Sequence, residues 1–267
     1  MVSTSSIIAI VIILILVIIV YYYFISTSHT MTGVLSAEST TTIACSSLPT
    51  NGSSGSYNFS YGIWFYLDDW SYKYGKEKMI FGVCQQKPST SSSVYDASDN
   101  VLFSITMGKT QNDLEINILL DCSGAVSWAS PGRSCAASTN TNLYTIIPVT
   151  GFSLQQWNYI VVSTNGSTTM DIYMNGKLTN TAVIPSTINT TKFSTSTIYI
   201  TPATDHSTQI GFAGWTSLFS YWNHSLDPQT VWNYYKKGYG GSILGNFNYS
   251  VNVSISKGND TIASGSL

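Results

Sequence analysis

Carboxylates come first, because the chain has only three glutamates, Glu38, Glu77 and Glu115. Cleaving a glycosidic bond takes two carboxyl groups flanking it, one acting as acid and the other as base or nucleophile. Asp113-Leu114-Glu115 offers one such pair, since alternate residues of an extended strand share a face. No third acid follows at a catalytic spacing, and Asp113 beside Asn112 also suits a turn. The histidines, His29, His206 and His224, are scattered among polar neighbours and read as solvated. No Gly-rich phosphate loop is present. The expectation is a protein without enzymatic activity.

Binding chemistry is better represented. A sugar ring is held by an aromatic face next to hydrogen-bonding groups, and Asp68-Asp69-Trp70-Ser71-Tyr72-Lys73-Tyr74 has that composition. Trp128, in the polar stretch 123–142, could stack in the same way. Trp70, Tyr72 and Trp128 are therefore the candidate ligand residues, with core packing as the alternative for both tryptophans. Trp64, Trp157, Trp215, Trp222 and Trp232 fall on strand or helix positions and read as core.

Four cysteines, Cys45, Cys84, Cys122 and Cys135, allow two disulfides. A Cys122–Cys135 bridge would close one polar loop, and Cys45–Cys84 would tie the N-terminal stretch to the domain. Buried thiols are the alternative. The spacings do not suit a zinc site. Eight Asn-x-Ser/Thr sequons are present. Asn51, Asn165 and Asn189 are the glycosylation candidates, Asn165 at a turn and Asn51 in a polar stalk.

The elements that must position these residues are clearest between Trp157 and Gly238. Asn165-Gly166 and Asn175-Gly176 each predict a tight hairpin turn, because Asn-Gly tolerates the positive φ that a two-residue loop requires. A short helix is predicted from Pro228, with Asp227 as N-cap, Lys236 and Lys237 in the last turn and Gly238 just past the end. Upstream, 57–66, Val101–Met107, Leu114–Ile118 and Thr197–Thr201 read as strands. Trp157, Asp171-Ile172-Tyr173-Met174-Asn175-Gly176-Lys177, Phe212-Ala213-Gly214 and Leu226–Gly238 together resemble the laminin-G-like branch of the concanavalin A-like lectin/glucanase superfamily. That resemblance implies an all-β fold: a two-sheet antiparallel jelly-roll sandwich with a short C-terminal helix. It also implies that calcium, if any cofactor is held, sits at the rim through Asp205 or Asp121. A turn-capping role is the alternative for each acid. The glycosidases of the superfamily carry three acids on one strand, a pattern absent here.

At the opposite end, Ile7–Ile25 is an unbroken apolar and aromatic run. As a helix it would extend about 28 Å, near the hydrocarbon thickness of a bilayer. Tyr21, Tyr22 and Tyr23 suit the membrane boundary. A cleaved signal peptide fits less well, for want of a basic start and a small-residue exit. The expected organisation is a polar stub (1–6), one N-terminal transmembrane helix (7–25), a Ser/Thr-rich stalk (26–56), the sandwich (57–240) and a β-rich tail (241–267) with a turn at Lys257-Gly258-Asn259. Charged residues make up 9% of the chain and the net charge is −2, against about 25% charged in an ordinary domain. Nucleic acid is therefore excluded as a partner. The anchor, the poverty of charge and the sandwich together resemble virion proteins of large nucleocytoplasmic DNA viruses. They imply a minor capsid or virion membrane protein linking a lipid bilayer to capsid proteins. The alternative is a surface lectin binding glycans.

Overall fold

Strand β3 (Ser60–Asp69) carries large side chains on both faces, and the rest of the fold is arranged to cover them. The computed structural model describes residues 30–48, 58–88, 101–121, 142–166, 168–184, 187–188, 193–204, 209–240, 252–257 and 260–266. The remaining strands are β1 (Leu35–Ser36), β2 (Thr41–Ala44), β4 (Lys78–Cys84), β5 (Val101–Met107), β6 (Leu114–Asp121), β7 (Asn142–Val149) and β8 (Trp157–Asn165). After these come β9 (Thr169–Met174), β10 (Lys177–Val183), β11 (Thr187–Ile188), β12 (Thr197–Ile200), β13 (Ala213–Trp222), β14 (Asn252–Lys257) and β15 (Asp260–Ser266). One sheet runs β1-β13-β3-β8-β9-β10, and the other β11-β6-β5-β4-β12-β2 with β7 beside β6. Helix α1 (Pro228–Lys237) completes the domain. The architecture is a two-sheet antiparallel sandwich with one short C-terminal helix.

Period-two alternation on β3 sends Tyr61, Ile63, Phe65 and Leu67 inward, where each is at most 2% exposed. They meet Phe81 of β4, Phe103 of β5 and Phe219 of β13. Tyr61 stacks on Phe103 with centroids 5.5 Å apart, and Phe81 meets Phe219 edge-on at 5.0 Å. Such pairs add about 0.5–1.5 kcal/mol each beyond their buried area.

Local signals act as expected around α1. Asp227 Oδ1 accepts from the backbone N–H groups of Gln229 and Thr230, each at 3.0 Å, and Gly238 closes the helix at φ 75°. Asn175 and Gly176 hold φ 51° and 79° in a two-residue turn between β9 and β10. Asn175 Oδ1 also accepts from Tyr159 N at 2.8 Å, tying the turn to the neighbouring strand. Residues 252–257 and 260–266 pair with each other as a hairpin about 258–259.

Four expectations change. The turn after Asn165 is longer than two residues, because Asn165 pairs with Thr169 and leaves 166–168 as the loop. The sandwich takes up part of the supposed stalk: β1 pairs with β13, β2 pairs with β12, and Ala37 between them is 0% exposed. Cys45 and Cys84 stand as buried thiols rather than a bridge. Strand β12 lies between them, since Thr197 pairs with both Ala44 and Cys84. Two strand spacings are about 10 Å, beyond disulfide reach. Cys45 also packs in the interior, whereas Cys84 belongs with Met79 and Val101. Finally, Trp215, read as core, is 48% exposed.

Ile7–Ile25, Trp128, Cys122, Cys135, Asn51, Asn189 and Asp205 lie outside the described residues. Among the described residues no helix is long and apolar enough to cross a membrane.

A methyl at Gly176 would meet Trp232 Cε3 at 2.7 Å and Tyr235 Cβ at 2.9 Å, on a backbone that disfavours L side chains. Gly176→Ala is expected to destabilise the sandwich by about 2 kcal/mol and lower the melting temperature by about 4–8 °C in a thermal scan. Burial pushes the Cys45 thiol up to about 12. Native protein treated with iodoacetamide should therefore leave Cys45 and Cys84 unlabelled in peptide mass mapping, and denatured protein should be labelled at both.

Candidate functional site

The outward face of β3 presents Trp64 and Tyr66, flanked by β13 and β8. Helix α1 covers one half of this face. Trp64 stacks between Tyr159 and Tyr235, with centroids 4.8 and 5.4 Å away. Trp222 donates from Nε1 to the Tyr234 hydroxyl at 3.2 Å. Trp64, Tyr159, Tyr173, Trp222 and Val231 are consequently buried. The helix has ten residues and β3 also has ten. Those lengths correspond to about 15 Å and about 33 Å, so the helix cannot cover the whole strand.

What it leaves open is a row of aromatics. Trp215 on β13 pairs with Tyr66 on β3, which pairs with Trp157 on β8. Tyr66 and Trp157 lie 5.7 Å apart at 54°. Tyr239, just past the helix, stacks flat on Trp157 at 4.3 Å and 9°. Its position is set by Gly238 at the helix end and by Ser217 Oγ, which donates to the Tyr239 carbonyl at 2.6 Å. Trp215 is 48% and Tyr239 38% exposed, and Tyr66 and Trp157 are half-buried. Gly214 (φ 153°) allows β13 to approach, because a methyl there would lie 1.9 Å from the Tyr66 carbonyl oxygen.

A second feature lies at the rim by the end of β3. Trp70, Gln111, Asn112, Asp113, Thr150 and Leu154 line a cleft of about 560 Å³, within the size range of ligand sites. Its loops are locked together. Asn112 Nδ2 donates to Phe152 O at 2.8 Å, while Phe152 N donates to Asn112 O at 3.0 Å. Phe152 wedges beneath, against Phe65 and Trp70. Asp113 Oδ1 is buried and has no hydrogen-bond partner; Gly108 leaves the room it occupies, since a methyl there would collide with it. Asp113, Glu115 and Glu77 also border an adjoining recess of about 260 Å³, where Lys109 Nζ pairs with Glu77 Oε1 at 3.4 Å.

Lys78 completes this end. Its side chain is 0% exposed, Nζ has no hydrogen-bond partner, and the ammonium sits 4.6 Å from the Trp70 ring centroid. The cation–π contact offsets only part of its lost hydration. Burial accordingly pushes the ammonium below the ordinary lysine value.

Of the residues singled out from sequence, Trp70 is brought to the cleft. Tyr72 is committed elsewhere: its hydroxyl donates to Ile210 O at 3.0 Å, and burial chiefly raises its pKa. Asp69 accepts from Ser71 N and Ser71 Oγ, both at 2.8 Å, which holds its carboxyl below the usual range. Asp121 ends β6 opposite Asn142. Asn165 is exposed at its turn. Among the described residues, no cluster of three or more His, Cys, Asp or Glu could hold a metal. Sequence reasoning missed Trp215 as a surface residue, whereas Trp157 is half-buried and packs against the Trp64 cluster. The signal available was that Trp215 lies beyond what so short a helix can reach.

No family model and no curated protein matches the sequence. Solved structures similar to it include botulinum neurotoxin binding domains. The receptor binding domain of mosaic serotype C/D aligns at 14% identity and a TM-score of 0.43, covering 69% of this chain and 39% of that one. The neurotoxin DC binding domain in complex with rat synaptotagmin II aligns at 17% and 0.42, covering 67% and 35%. The same domain in complex with SialylT aligns at 18% and 0.43, again covering 67% and 35%. The chain spans well under half the length of each, and function has to be read from its own side chains.

Lys78→Met keeps the volume and removes a buried charge. It is expected to stabilise the protein by about 1 kcal/mol or more at neutral pH, raising the melting temperature by about 2–4 °C. Wild-type stability should climb as pH rises from the lowered folded pKa toward the ordinary lysine value of 10.5. The advantage of the variant should shrink over that same window in pH-resolved thermal scans.

Proposed function

We propose that this is a non-enzymatic glycan-binding protein, a lectin-like sandwich held at a bilayer by Ile7–Ile25. One observation carries the reading: Trp215, Tyr66, Trp157 and Tyr239 form a partly exposed aromatic row in register across three strands and the helix end. Aromatic faces bind the C–H faces of sugar rings through dispersion and dehydration, and neighbouring polar groups take the hydroxyls. Asp68 and Gln155 are exposed beside the row to serve that purpose. A sequence poor in charge suits a neutral, hydroxyl-rich ligand.

The capsid-linking role implied by sequence has less behind it. It drew on the anchor, the poverty of charge and the sandwich, none of which singles out a capsid partner, and in the fold β14 and β15 pair with each other. No catalytic role is proposed for these acids: Asp113 precedes β6, and Glu115 lies within it.

The full chain in detergent micelles, applied to an array of neutral, sialylated and sulfated glycans, is expected to bind neutral glycans. Trp215→Ala should weaken that binding about tenfold or more, equivalent to about 1.4 kcal/mol. Val183→Ser, on an exposed position of β10 away from the row, should leave it unchanged. Silence across the array, or full binding by Trp215→Ala, would remove the proposal.

A further inference from the structure

The aromatic row and the rim cleft are joined by two short, rigid segments. Tyr66 and Trp70 are four residues apart at the end of β3, and Leu154 and Trp157 three apart at the start of β8. At strand spacing these correspond to about 13 and 10 Å at most. The second segment is pinned along its length. Gln155 N donates to Leu67 O at 2.9 Å, and the Gln155 side chain donates to Asp68 O at 3.4 Å. Asn158 Nδ2 donates to Ser153 O at 2.7 Å and Gln156 O at 3.0 Å. Between row and cleft the surface is polar, with Asp68, Gln155 and Gln156 all exposed.

We infer that the row and the cleft form one continuous track for a neutral oligosaccharide, with internal rings on Trp215, Tyr66 and Trp157 and a terminal ring in the cleft beside Trp70. This rests on the glycan reading above and extends it to a ligand class and a length. The cleft suits a chain end: Trp70 and Leu154 are apolar walls, and Gln111, Asn112 and Thr150 supply polar groups. Charge sets the class. Asp68, Asp69 and Asp113 line the track, the Lys78 ammonium is buried, and Lys109 is paired with Glu77. An acidic sugar would meet uncompensated carboxylates. A proline-rich peptide could also lie on an aromatic row, but proline has no N–H to offer the exposed carboxylate of Asp68.

The probes are β-1,4-linked glucose and N-acetylglucosamine oligomers from dimer to hexamer, titrated calorimetrically against the full chain in micelles. Affinity should rise with length to a plateau about tenfold or more above the dimer. Trp215→Ala should lower affinity at every length. Leu154→Arg and, separately, Gln111→Ala should flatten the rise, so that hexamer and dimer differ by less than about twofold. Far-ultraviolet circular dichroism would verify that each variant is folded. If lengths bind equally and the cleft variants match wild type while Trp215→Ala still abolishes binding, the track is wrong and the glycan platform stands. If neutral oligomers fail to bind at any length, both readings fall. Tighter binding of sialylated oligomers, or of a polyproline decamer, would overturn the choice of ligand.

Discussion

Everything in this domain depends on the demand of β3 to be covered on both sides. Its inward residues, Tyr61, Ile63, Phe65 and Leu67, require a second sheet, which brings Phe81 and Phe103 against them. Its outward residues, Trp64 and Tyr66, require a second cover, and among the described residues this is a ten-residue helix. A helix rises less than half as far per residue as a strand, so equal residue counts cannot give equal coverage. Trp64 is buried by the helix, while Tyr66 and its neighbours in register are left at the surface. The exposed aromatic row is what remains of a core that outruns its cover.

Exposure alone would make that row a liability for aggregation, and the surroundings limit this. The row is broken in orientation, with Trp157 tilted by 54° to Tyr66 and flat against Tyr239. Exposed acids and amides flank it. The rim loops are held by reciprocal backbone and amide hydrogen bonds at Asn112, Phe152 and Asn158 rather than left mobile. Binding to such a surface loses little conformational entropy, because the loops and rings are already in place. The buried Lys78 beneath Trp70 acts in the opposite sense, since an ammonium without hydrogen bonds opposes folding.

Much of the scaffold was legible because its signals are local. Asp227, Pro228 and Gly238 announce a helix through capping groups within a few residues of one another, and Asn175-Gly176 announces a turn through its own φ preferences. Alternation in Val101–Met107 was enough to delimit β5. Misreadings arose where the answer depended on a partner distant in sequence. Cys45 and Cys84 looked able to pair until β12 was seen to lie between them. Residues 35–36 and 41–44, Ser/Thr-rich and short, carry little pattern of their own and become strands only through the edges of β13 and β12. Tyr72 resembled a ligand contact, yet its hydroxyl meets a carbonyl 138 residues away in sequence.

By itself the sequence determined the type and polarity of its elements and a charge-poor composition, which follow from side-chain period, backbone preference and residue counts over short stretches. Two-sheet layering was implied only by the resemblance of its motifs to a known superfamily. Only the tertiary structure decided which tryptophans are core and which are surface. The sequence reads Trp64, Trp157 and Trp215 alike as core, but whether such a position is covered depends on where a separate element ends. That is a matter of relative lengths and docking in three dimensions, and it separates the buried Trp64 from the exposed Trp215.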